Sequence, residues 1–195
     1  MVVLGSKSPR RQELLRGLDI PFIVRTKDTD ESYPSDLQAE WVPEYIARLK
    51  AAAFYDLNAD DVLVTADTVV IVDGKIYGKP HSRDEACGML RVLAGRTHEV
   101  VTGVCIRRGD DVRSFSDLTK VHFAELTDRE IEYYVDKYRP FDKAGSYGVQ
   151  EWIGYVAVDW IEGSFYNVMG LPVHKVYEKI CDNIVSGCVV GGVCR

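Results

Sequence analysis

The chain has 195 residues, enough for one substantial core in one domain or one domain with two lobes. Apolar residues make up 46% and charged residues 28%, and the net charge of −6 is spread along the chain, without the basic block or stripe that long nucleic acid requires. No run approaches the ~20 apolar residues of a membrane span, and Met1 to Lys7 is too short for a signal peptide, so a cytoplasmic protein with no membrane partner is expected.

Val2 to Leu4 is predicted as a strand that begins the fold at once. Ser8 then caps a helix with Pro9 at its first position and Leu14, Leu15 and Leu18 on one face. Phe22 to Val24 is a second strand, and the polar stretch from Lys27 to Asp36 is a loop. Trp41 to Asn58 carries apolar residues at helical spacing. Val62 to Thr65 is predicted as a buried strand. Val69 to Val72 and Lys75 to Tyr77 flank Asp73-Gly74, a two-residue hairpin signal. Ser82 with Glu85 and Thr127 with Glu130 are capping boxes that open two further helices. Between them, Thr97 to Arg107 and Val112 to Ala124 form a long hairpin. A glycine- and aromatic-rich region leads to a last helix from Pro172 to about Cys181. The five cysteines show no Cys-x-x-Cys pair, which gives neither a zinc site nor a disulfide framework. Alternation of helices with single strands and hairpins predicts an α/β fold with a mixed sheet and flanking helices, in a single elongated, two-lobed domain with a central cleft. The domain is expected over residues 1–181, with 182–195 a loosely ordered, oxidation-prone tail.

Four segments carry candidate chemistry. Ser6-Lys7-Ser8-Pro9-Arg10-Arg11 puts two hydroxyls and three cations at a helix start, whose unpaired N–H groups and dipole attract anions. The same residues read equally well as a capped helix with solvated arginines. Asp67, in Thr65-Ala66-Asp67-Thr68, would place a carboxylate at the carboxyl edge of a sheet, where α/β proteins bind ligands. A turn-capping aspartate is the plainer alternative. Lys79, in Gly78-Lys79-Pro80, could point at a phosphate or simply sit at the surface. Asp142 to Gln150 offers small residues, an aromatic and a terminal amide, the makings of a base pocket or of an ordinary surface loop. The four histidines lack metal-ligand spacing.

Taken in order, Ser6-x-Ser8-Pro9-Arg10-Arg11, Ala66-Asp67-Thr68-Val69-Val70, Gly78-Lys79-Pro80, Gly95-Arg96-Thr97-His98, Asp142-Lys143-Ala144-Gly145 and Gly170-Leu171-Pro172 resemble the Maf family of nucleotide pyrophosphatases. The resemblance covers roughly residues 2 to 180. It implies a fold shared in outline with the inosine triphosphate pyrophosphatases, frequently as a homodimer, a nucleoside triphosphate substrate and a divalent cation, magnesium or manganese. It makes Asp67 the catalytic residue and gives Ser6, Ser8, Arg10, Arg11, Lys50 and Lys79 to the phosphates. Arg10, Thr68 and Gln150 match the positions that mark the branch acting on dTTP and UTP. Glu31 resembles the acidic loop residue that joins Asp67 near the metal. The competing reading is a nucleotide-binding regulator of cell division or septum formation, which would keep the cations but not need Asp67.

Overall fold

The computed structural model describes residues 1–184. Within them, strands and helices follow in the order β1 (Val2–Leu4), α1 (Pro9–Arg16), β2 (Phe22–Val24), α2 (Val42–Ala52), β3 (Val62–Val72), β4 (Lys75–Tyr77) and α3 (Arg83–Leu93). There follow β5 (Thr97–Arg108), β6 (Asp111–Phe123), α4 (Asp128–Tyr138), α5 (Trp152–Ala157), β7 (Val158–Glu162), α6 (Phe165–Met169) and α7 (Val173–Ile184). The sheet runs β2-β1-β3-β5-β6-β7, with β4 also on β3. β1 pairs parallel with β2 and β3, whereas β4 on β3 and β7 on β6 are antiparallel. This is the mixed α/β sheet that the pattern predicts.

The described residues divide into two compact units, one of residues 1–67, 102–117 and 170–184, the other of 68–101 and 118–169. In the first, β1 lies between β2 and β3. The chain therefore leaves β1 through α1 to one side and returns through α2 to the other. Right-handed crossovers put those two helices on opposite faces, which makes the carboxyl ends of β1 and β3 a topological switch point. One face of β3 packs on α2 through Val3, Ala47, Ala51, Phe54, Leu63 and Cys105, all buried. α2 stops at Ala52, short of the predicted Asn58, because Phe54 turns into this core. Arg107 then donates to the carbonyls of Ala51 and Phe54, closing the helix end. Gly103 is required where α2 begins, since a Cβ there would overlap the backbone of Pro43 and Glu44.

In the second unit, Asp73 (φ 50°) and Gly74 (φ 72°) make the left-handed turn between β3 and β4. Thr127 and Glu130 form the reciprocal capping box of α4. At α3 only half of the predicted box forms. Ser82 Oγ accepts from the Glu85 N–H, but the Glu85 carboxylate takes the His81 N–H at 2.7 Å instead. The glycine- and aromatic-rich stretch folds as α5, β7 and α6. Elements of five or six residues, with little of β7 buried, are too short to show a period.

Two expectations change. β3 does not end at Thr65: it is one strand of eleven residues through Val72, in which Asp67 and Thr68 are the two positions not buried. The polar pair interrupts the hydrophobicity of the strand, not its backbone. α7 runs past Cys181 to Ile184; the rest of the expected tail, 185–195 with Cys188 and Cys194, lies outside the described residues.

Candidate active site

Asp67 falls where the neighbours of β3 change. β1 pairs with residues 62–64 and β4 with residues 70–72. With a period of two, Asp67 shares a face with Leu63 and Thr65. That is the α2 face, where Thr65 Oγ1 donates to the Ala47 carbonyl at 2.7 Å. On α2, Ala47, Lys50 and Ala51 stand three and four residues apart and so project together. The Lys50 ammonium consequently meets Asp67 Oδ1 at 2.8 Å, and it also reaches Glu31 Oε1 at 3.1 Å. Lys50 and Asp67 are largely buried, with side chains 17% and 19% exposed, while Glu31 is about half exposed.

Arg11 closes the other side of this cluster. Its Nε donates to the Gly170 carbonyl at 2.8 Å, and its Nη1 to the Ala66 carbonyl at 2.8 Å and to Ser6 Oγ at 3.5 Å. Burial lowers the Arg11 pKa from its ordinary value, Asp67 and Glu31 pull it back up, and Arg10 opposes them. Asp67, Glu31 and Arg10 thus all act on Arg11, and Lys50 joins the cluster through its ion pairs to Asp67 and Glu31. The two serines serve the turn itself. Ser6 Oγ accepts the Ser8 N–H at 3.2 Å, and Ser8 Oγ accepts the Arg11 N–H at 3.5 Å as the α1 cap.

No group of three or more His, Cys, Asp or Glu residues suited to a metal occurs among the described residues. Asp67 and Glu31 nevertheless share one cation, the Lys50 ammonium. Two carboxylates plus substrate phosphate oxygens are a donor set that magnesium accepts. The residues fit such an ion.

The remaining predicted residues belong to the second unit. Thr68 is half-buried on β3, on the face opposite Asp67, and Lys79 is exposed just beyond β4. Next to Lys79, the Gly78 carbonyl accepts the Gly145 N–H at 3.0 Å. Gly145 has φ 65°, and a Cβ on it would stand 2.7 Å from a Val70 methyl, so glycine is needed there. Glu151 N–H donates to the Gly148 carbonyl at 2.9 Å, closing a turn around Gln150. The side-chain carbonyl of Gln150 is buried with no hydrogen-bond partner among the described residues, as is the Ser146 hydroxyl.

Around that turn lie side chains whose pairing the sequence did not mark. Lys143 is buried, its ammonium 2.8 Å from Asp142 Oδ1 and 3.1 Å from Glu151 Oε1. The Tyr134 hydroxyl donates to Glu151 Oε2 and accepts the Gly148 N–H at 3.0 Å. Burial, then Glu151, push the Tyr134 phenol up, so it stays a donor. Tyr134 and Glu151 belong to different elements seventeen residues apart, and no local spacing announces the pair. His98 is a core residue: its Nε2 is 2.7 Å from the Tyr147 hydroxyl, and burial, aided by His122, pushes it down to about 3.

Fold and cluster together define an α/β protein with acidic and basic side chains gathered at a strand switch point. The chain belongs to the Maf-like protein family, whose model matches residues 1–182. It is 58% identical over 185 residues to a dTTP/UTP pyrophosphatase of Porphyromonas gingivalis, covering 93% of each chain. It is 52% identical to one of Bacteroides thetaiotaomicron, covering 92% of this chain and 94% of that one, and 48% identical to one of Flavobacterium psychrophilum, covering 90% and 91%. Among solved structures, a HAM1 protein from Coxiella burnetii matches with a TM-score of 0.49 at 15% identity, over 93% of this chain and 98% of that chain.

Proposed function

We propose that this protein hydrolyses dTTP and UTP, and modified uridine triphosphates of the same base edge, to the nucleoside monophosphate and pyrophosphate. The observation that carries the reading is the Lys50 ammonium held between Asp67 and Glu31, with half-buried Arg11 alongside. Membership of the family and the names of relatives at 48–58% identity supply the reaction.

In this reading Asp67 takes the proton from the water that attacks the α-phosphorus. Lys50 orients the Asp67 carboxylate and supplies positive charge beside it. Arg10, Arg11 and Lys79 stabilise the charge gathering on the departing pyrophosphate, as preset cations do. Ser6 and Ser8 shape the phosphate-facing turn. Glu31 and Asp67 would hold magnesium or manganese, which neutralises phosphate charge when bound. Arg10, Thr68 and Gln150 select the base. The reading extends to a cytoplasmic homodimer that acts on the free nucleotide pool.

Product identity tests the reading. Incubation with UTP and magnesium in ¹⁸O-water should release pyrophosphate and put the label in UMP. Inorganic phosphate with UDP, or tight binding of UTP without turnover, would overturn it.

A further inference from the structure

Resting on the reading just given, we infer that Tyr134, acting through Glu151 and Lys143, is the positioning residue that fixes which hydrogen-bonding edge Gln150 shows to the base. It thereby sets the preference for uracil and thymine over cytosine.

Both peptide groups of Gly148 are held. Its N–H goes to the Tyr134 hydroxyl at 3.0 Å and its carbonyl takes the Glu151 N–H at 2.9 Å. Glu151 is in turn fixed by its side chain, with Tyr134 on Oε2 and the Lys143 ammonium on Oε1. Residues 148–151 thus form a ring closed at both ends, and Gln150 lies inside it. The ring has little slack: a Cβ on Gly148 would stand 3.0 Å from Glu151 Cδ and 3.1 Å from Lys143 Cε. Its buried cation is paired with two carboxylates, Asp142 and Glu151, so the Lys143 ammonium has its partners before any ligand binds.

The Gln150 side-chain carbonyl is the unfinished part. A buried acceptor without a donor is costly, and a ligand that brings the donor recovers that cost. Uracil and thymine carry a donor at N3. Cytosine has a lone pair at N3, which would face the carbonyl and repel it. A flipped amide would suit cytosine, so selectivity depends on holding the turn that carries the amide. Removal of the Tyr134 hydroxyl frees the Gly148 N–H and one oxygen of Glu151, and the turn loosens.

The experiment compares kcat and KM for UTP and CTP in the wild type and in Tyr134→Phe, which keeps the ring stacked on Tyr138. The UTP:CTP ratio of kcat/KM should fall about tenfold, through KM for UTP with kcat little changed. Glu151→Gln, which keeps an acceptor for Tyr134 but loses the charge facing Lys143, should shift the ratio in the same direction and covers the case of a Tyr134→Phe that does not fold. A ratio unchanged within about twofold, or a parallel loss for both nucleotides, would overturn the inference. A wild type that does not turn over UTP would instead sink the underlying reading.

Discussion

Lys50 and Asp67 meet at 2.8 Å because an α2 residue and a β3 residue project into the same face of the sheet, beside the core that holds the helix on the strand. The same ammonium is 3.1 Å from Glu31, so one cation spans two acidic side chains from a loop and a strand.

That bridge predicts a competition. Lys50→Met removes the ammonium and leaves Asp67 and Glu31 open to a metal ion. Manganese binding to the nucleotide-free protein, followed by calorimetry, should tighten. UTP turnover should nevertheless fall at least about tenfold, because the preset charge beside Asp67 is lost. Weaker manganese binding would mean that the two carboxylates do not form one cation site.

Arg11 is a structural tie as well as a charge. Its guanidinium serves the Gly170 and Ala66 carbonyls, fastening α1 to β3 and to the segment before α7. Arg11→Met leaves both carbonyls without that donor and should destabilise the protein by about 2–4 kcal/mol in urea unfolding. A variant as stable as the wild type would show that neither bond matters to folding.

How much of this was legible depended on range. The caps at Ser8 and Thr127 and the Asp73-Gly74 turn depend on neighbours within four residues, and they form as read. Asp67 and Arg11 stood out through the ordered motifs, and Lys50 only through the family resemblance those motifs carry. An Asp67 facing the Arg10–Arg11 helix start was also legible; the Lys50–Asp67 contact was not, because it depends on a strand that continues through a polar pair. The Tyr134–Glu151–Lys143 network was invisible for a related reason: its members sit on α4, at the start of α5 and in the loop between, with no common period.

Burial of His98 predicts an acid-labile fold. Its folded-state pKa of about 3 lies below the ordinary 6.5, so the unfolded chain takes up a proton that the folded one refuses. Its contribution to stability is therefore unchanged above about pH 7 and falls as pH drops through the window from 6.5 to about 3, by up to about 1.4 kcal/mol per pH unit. His98→Gln should remove that slope, whatever it does at neutral pH. Urea midpoints of both proteins between pH 7 and pH 4 check this. Parallel pH profiles would contradict it.

Gly103 marks where the first turn of α2 presses on β5, and no motif singled it out. Gly103→Ala forces a methyl into the Pro43–Glu44 backbone and should cost about 3 kcal/mol. Because α2 carries Lys50, UTP turnover should drop with it. Thermal unfolding and pyrophosphate release, measured on one preparation, test both; an alanine variant with wild-type stability would show that α2 can shift freely.

The most direct measurement is pyrophosphate release from saturating UTP and magnesium by Asp67→Asn, a substitution that keeps the shape and one hydrogen-bonding oxygen but not the base. The account predicts a loss of at least about a hundredfold in kcat with the fold intact. A folded Asp67→Asn enzyme that turns over at near the wild-type rate would contradict it.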